Sequence, residues 1–211
     1  ETLANLKRVH PKPEEIEILL LSESQKSFAK FEGMKLEGKD IISANDFNKR
    51  GNYFFSMKKY KESENDFLHA IELDPSFGEK GAFQKLLNIA YSQKDLKKLA
   101  KYYEQWLKFN PDNILVRNDY AWFLVDTKDK DLLNLPLGLA FALQVAEKTE
   151  FKSYPYLDTL AYAYFKNDKL EEAVFYAKKV ISLLPSTSTL EEQKIFQEKL
   201  VMYEKAFKDK K

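Results

Sequence analysis

Apolar residues recur along this chain at intervals of three and four, in blocks separated by short polar breaks, and that period predicts helices throughout. Phe47, Gly51 and Phe54 fall on one helix face, Met57-Lys58-Lys59 interrupt it, and Tyr60, Phe67, Ala70 and Ile71 mark the next helix. Three such helices end alike, at Ala70-Ile71-Glu72-Leu73-Asp74-Pro75, Trp106-Leu107-Lys108-Phe109-Asn110-Pro111 and Val180-Ile181-Ser182-Leu183-Leu184-Pro185. A proline stops the helix before it and biases its predecessor away from helical backbone, so each ending reads as a unit boundary. The prolines lie 36 residues apart (75 to 111) and then 74 apart (111 to 185), one unit followed by two. Small residues (Gly51, Ala70, Ala121, Ala161, Ala173 and Ala177) stand where two helices must approach closely. The whole pattern predicts antiparallel helix pairs repeated in tandem.

At these positions the chain resembles the tetratricopeptide repeat (TPR) family. The first repeat carries Phe47, Gly51, Phe54, Tyr60, Phe67, Ala70 and Pro75, with Ser63 in place of a usual Ala. The second carries Phe83, Tyr103 and Pro111, but Leu87, Leu99 and Trp106 are bulkier than the family pattern. The fourth is the cleanest, with Leu157, Ala161, Tyr164, Leu170, Ala173, Ala177, Val180 and Pro185. The third is irregular. Its helices read Tyr120–Leu124 and Ala142–Ala146, and a loop from Asp126 to Pro136 is expected to absorb the extra residues between them. An array tolerates such an insertion because each repeat touches only its neighbours.

The resemblance implies an all-α fold, a right-handed superhelix of antiparallel helix pairs (a TPR α-solenoid) with extra capping helices. The expected division is 1–43 as an N-terminal tail and capping helix or degenerate repeat, then repeats at 44–79, 80–113, 114–153 and 154–187. Residues 188–211 are expected to form a C-terminal capping helix. They open on Thr189-Leu190-Glu191-Glu192, a capping-box pattern, and continue with an apolar stripe of Phe196, Leu200, Tyr203 and Phe207. At the other end, Pro13-Glu14-Glu15 reads as a helix start.

Composition narrows the chemistry. In 211 residues there is no Cys, which removes disulfides, thiolate nucleophiles and Cys-based zinc sites. Lys and Arg number 34 against 33 Asp and Glu, so no global field would draw in nucleic acid or a membrane surface. The early apolar run Ile18–Leu21 is too short for a membrane span, and no targeting signal is read in a chain that begins at Glu1. The expected compartment stays open between cytoplasmic and exported or periplasmic. No glycine-rich phosphate loop, metal-ligand cluster or nucleophile motif is read, and no cofactor is expected. The two histidines, His10 and His69, read as solvated surface residues. The expectation is a non-catalytic protein.

The resemblance implies that the first helix of each pair lines a concave groove, with an i,i+4 pair of side chains facing it. Those pairs are Asn48/Asn52, Gln84/Asn88, Asn118/Trp122 and Asp158/Tyr162, and one turn further on stand Phe55, Tyr91, Val125 and Phe165. Five of the first six paired residues are side-chain amides. An amide both donates and accepts, so a row of them suits the backbone of an extended peptide, with the aromatics supplying apolar area. Lys49 and Lys85 lie beside the first two pairs and Asp119 beside the third, which predicts a groove basic at one end and acidic at the other.

One TPR subtype clamps the C-terminal carboxylate of chaperone tails. Of its clamp positions only Asn52 matches here. The others hold Asn48, Lys85, Leu115 and Asp119, and Asp119 would repel a carboxylate. The expected function is therefore a protein–protein interaction scaffold for an extended peptide or partner protein other than such tails. The alternative is a structural or oligomerising subunit, or an accessory domain of a larger complex, with a cell-envelope complex as one option.

Overall fold

The structure is a computed structural model and describes residues 42–210. The readings of His10, of Pro13-Glu14-Glu15 and of an N-terminal cap or degenerate repeat lie outside the described residues. Within them the fold is all-α, with nine α-helices and no strand. The chain divides into two compact units at Pro111/Asp112.

The N-terminal unit holds α1 (Ala44–Ser56), α2 (Tyr60–Leu73), α3 (Phe83–Ser92) and α4 (Leu96–Phe109). α1 packs on α2, α2 on α3, and α3 on α4. Ser43 starts α1 by accepting from the Asp46 N–H at 3.1 Å, and Asp95 does the same for Lys98 at α4. A wide helical turn at Gly78–Ala82 leads into α3, and Gly81, with φ of 106°, breaks the run there. Ser63 is fully buried and its hydroxyl donates to the Gly51 carbonyl at 2.9 Å. That bond accounts for a polar residue where the repeat pattern has Ala. The bulky Leu87, Leu99 and Trp106 are buried, with Trp106 stacked on Phe83 at 5.6 Å.

The C-terminal unit holds α5 (Ile114–Asp126), α6 (Leu135–Lys148), α7 (Tyr154–Lys166), α8 (Leu170–Ser182) and α9 (Leu190–Lys210). Successive helices pack on one another, and α5 also meets α7. α5 is covered on nearly every side, with Tyr120 through Val125 all buried. The insertion is shorter than the sequence predicts. Asp126 ends α5, and Pro136 lies inside the first turn of α6, so the connection runs over 127–134. A first-turn proline loses no hydrogen bond, because the N–H groups there have no helical partner. Asn134 caps the start instead, accepting from the Leu137 N–H at 3.1 Å. Gly138 then permits close contact with α5: a Cβ there would stand 2.5 Å from Val125 Cγ1 and 2.9 Å from the Ala121 carbonyl oxygen.

A second periodicity supports the repeats. The turns inside three helix pairs place Lys58, Lys94 and Asp168 in left-handed backbone, with φ of 57°, 56° and 61°. Those residues are 36 and 74 positions apart (58 to 94, 94 to 168), the intervals that separate the boundary prolines.

Candidate functional site

In the N-terminal unit the candidate groove residues come from α1 and α3. Asn48, Lys49, Asn52 and Phe55 on α1 are half-buried, as are Gln84, Lys85 and Tyr91 on α3, while Asn88 is buried. Asn52 Nδ2 donates to the Asn48 carbonyl at 2.8 Å, and Gln84 Nε2 donates to Asn88 Oδ1 at 3.2 Å. Each contact uses one part of an amide that has two donors and an accepting oxygen. Lys85 Nζ sits 4.4 Å above the Phe55 ring, which brings the two helix faces together at a cation–π contact. His69 is exposed and stacks on Phe47 at 5.1 Å.

Deeper in this unit, charge is matched across helices. Arg50 donates from Nε and Nη2 to both oxygens of buried Asp66, at 2.8 and 2.7 Å. That paired bond raises the guanidinium's proton affinity further. Glu64, also buried, accepts from Lys98 Nζ at 2.6 Å and from the Tyr102 hydroxyl. Burial, with Glu64 beside it, pushes the Tyr102 hydroxyl far above its ordinary range.

The C-terminal unit departs from the expected open groove. Asn118, Trp122, Asp158 and Tyr162 are all buried, and Phe165 is half-buried. Val125, read as a groove residue, points instead at Gly138 of α6. Its place on a helix covered on nearly every side makes that the favourable direction for an apolar side chain. Asp158 is paired inside the fold: both of its oxygens accept from Lys199 Nζ of α9, at 2.8 and 2.7 Å, and the two side chains are 4% and 6% exposed. Trp122 stacks on Tyr162 at 4.5 Å, and the Tyr162 hydroxyl donates to Asp126 at 2.5 Å. Of the candidate residues in this unit only Asp119 is exposed.

The helix that reaches Trp122, Asp158 and Phe165 is α9. Thr189 caps it by accepting from the Glu192 N–H at 3.1 Å. The Glu192 carboxylate, which a capping box would turn back on its own helix, accepts from the Tyr154 hydroxyl of α7 at 3.0 Å. Phe196 meets Tyr154 edge-on at 5.8 Å, and Tyr203 stacks on Phe165 at 4.8 Å. Sequence reasoning passed over Lys199. Its signal was its register: three residues after Phe196 and four before Tyr203, it falls on the apolar stripe rather than beside it.

Two stretches, residues 47–77 and 154–187, match the family model described as tetratricopeptide repeat. The chain carries tetratricopeptide repeats. The two matches fall on the first helix pair of the N-terminal unit and on α7–α8 of the C-terminal unit, and the packed helix pairs fit the family's all-α solenoid. No curated protein matches the chain in sequence. Tetratricopeptide repeats point to a protein–protein interaction scaffold and so to protein partners. No described helix is long and apolar enough to cross a membrane.

Proposed function

We propose that the repeats bind an extended segment of a partner protein, without catalysis, and that α1 and α3 carry this binding in the N-terminal unit. The observation behind the reading is the group Asn48, Asn52 and Gln84, half-exposed amides on two neighbouring helices with Lys85 and Phe55 in contact between them. Amides at i,i+4 spacing can satisfy the N–H and C=O groups of a peptide main chain, while Phe55 and Tyr91 contribute apolar area. Lys49 and Lys85 favour an acidic segment on this unit. The exposed Asp119 belongs to the C-terminal unit and disfavours a free carboxylate there.

The test is selection of peptides from a random displayed library on the wild-type chain, followed by titration against Asn52→Ala with Gln84→Ala. Losing two hydrogen-bonding side chains at a partly desolvated site costs about 1–3 kcal/mol in all, so selected peptides should bind about 5- to 150-fold more weakly. Peptides that bind the double variant as tightly as the wild type would place the interaction elsewhere. The oligomerising alternative draws on exposed apolar residues such as Phe175, 60% exposed on α8. A concentration-dependent dimer that Phe175→Ser abolishes would favour it.

A further inference from the structure

α9 packs on α8, and its side chains also reach along α7 in ascending register: Glu192 and Phe196 meet Tyr154, Lys199 meets Asp158, and Tyr203 meets Phe165. The two helices therefore run in the same direction. Asp158 and Phe165 are residues that the repeat pattern assigns to ligand contact, and their neighbour Tyr162 is buried with them. Lys199 Nζ also lies 5.5 Å above the ring of Trp122, a further residue of that set, on α5. One helix thus covers candidate ligand-binding residues from two helices at once. It does so with an aromatic, a lysine and a second aromatic at i, i+3 and i+7.

We propose that α9 is a built-in ligand of the C-terminal unit's groove face, latched by Lys199 on Asp158, and that this face takes a cationic amphipathic helix with the same aromatic–lysine–aromatic register. The proposal rests on the reading that these repeats bind partner segments, and it changes the kind of segment for this unit from an extended strand to a helix. Three features carry it. The Asp158 carboxylate is buried and needs a cation, since a buried charge is retained only when it is paired. The lysine that supplies the cation comes from α9 rather than from within the repeats. The other ion pairs that tie α9 to the repeats sit at its exposed surface, among them Lys178–Glu204 at 3.0 Å and Lys210–Asp168, where such pairs hold little. The opposite side of α9 is open, with Val201 57% exposed, so the helix is covered on one face alone.

The experiment uses the full chain. Lys199→Glu sets a like charge against Asp158, and amide hydrogen exchange then reads each helix separately. Breaking a buried pair at one partner should speed opening of α9 at least about a hundredfold, while α5 to α8 keep their protection within about tenfold. A fluorescent peptide of residues 188–211 should bind the variant at least about tenfold more tightly than it binds the wild-type chain, whose seat is filled. The same peptide with glutamate in place of Lys199 should not bind. Lys199→Met, which removes the cation without adding a repelling charge, should show the same order of effects at smaller size.

If α7 and α8 lose protection together with α9 in both variants, α9 is part of the core and the proposal fails. It fails equally if the lysine peptide does not bind a variant whose α9 is open. Neither result touches Asn52 and Gln84, so the peptide-display test of the N-terminal unit stands apart.

Discussion

Gly138→Ala should destabilise the C-terminal unit even though it replaces a poor helix former with the best one. In an exposed helix interior the change is worth about 1 kcal/mol in favour of alanine. Here the added methyl would lie 2.5 Å from Val125 Cγ1, 2.9 Å from the Ala121 carbonyl oxygen and 3.2 Å from Leu124 Cβ. Val125 cannot swing away cheaply, because a β-branched side chain in a helix is confined to essentially one rotamer. The Ala121 oxygen is main chain and moves only if α5 moves. Relief therefore means separating α5 from α6, and forcing a methyl into such a contact typically costs about 1–3 kcal/mol.

Because backbone is among the obstacles, the upper part of that range applies, which leaves a net loss of about 1–2 kcal/mol. For a unit of this size each kcal/mol is about 4–8 °C in melting midpoint. Thermal unfolding followed by far-UV circular dichroism reads this directly. Gly51→Ala is the comparison: its methyl would meet the Phe67 ring at 3.0 Å, a side chain that can tilt, so its loss should be smaller. A Gly138→Ala protein melting at or above the wild-type temperature would refute the argument that this glycine sets the distance between α5 and α6.

Two further outcomes are expected. Lys94 adopts left-handed backbone with φ of 56° and is exposed, so Lys94→Gly should raise stability by about 0.5–1 kcal/mol, net of glycine's greater freedom in the unfolded chain; a lower melting midpoint would contradict this. Tyr102 and Tyr203 are held protonated above the ordinary value of 10.0, in both cases first by burial, so their contribution to stability is complete below about pH 10 and falls as pH rises further, when the unfolded chain releases those protons first. Tyrosinate absorbance of these two residues should therefore appear together with loss of helical signal, and their ionisation near pH 10 in a chain that is still helical would be the contrary result.

The helix pairs were legible because their signals are local. The Pro75, Pro111 and Pro185 boundaries, the break at Met57–Lys59 and the small residues at close crossings each act within a few residues of chain. Ser63 reads as a departure from the family pattern until its donor bond to Gly51 is seen, a contact across twelve residues. Gly138 was hidden by the irregular third repeat: with Pro136 taken as loop, the glycine just after it had no helix to belong to. The burial of the candidate residues in the C-terminal unit was not legible, for a longer-range reason. Periodicity shows which residues of α5 and α7 share a face, but whether that face is open depends on a helix that arrives some forty positions later, as Lys199 does on Asp158. Its lysine carries the same symbol as a solvated one.

The buried Glu64 has a consequence for how far these repeats can be treated as interchangeable parts. It belongs to the second helix of one repeat, and its partners Lys98 and Tyr102 belong to the second helix of the next. Deleting, duplicating or shuffling a unit here would leave either a carboxylate without its donors or a buried hydroxyl without its acceptor. Apolar interfaces between repeats forgive such rearrangement, because one leucine packs much like another. This one checks identity, so the order of the first two repeats is written into their contact, and an evolutionary or engineered reordering would have to change three residues together.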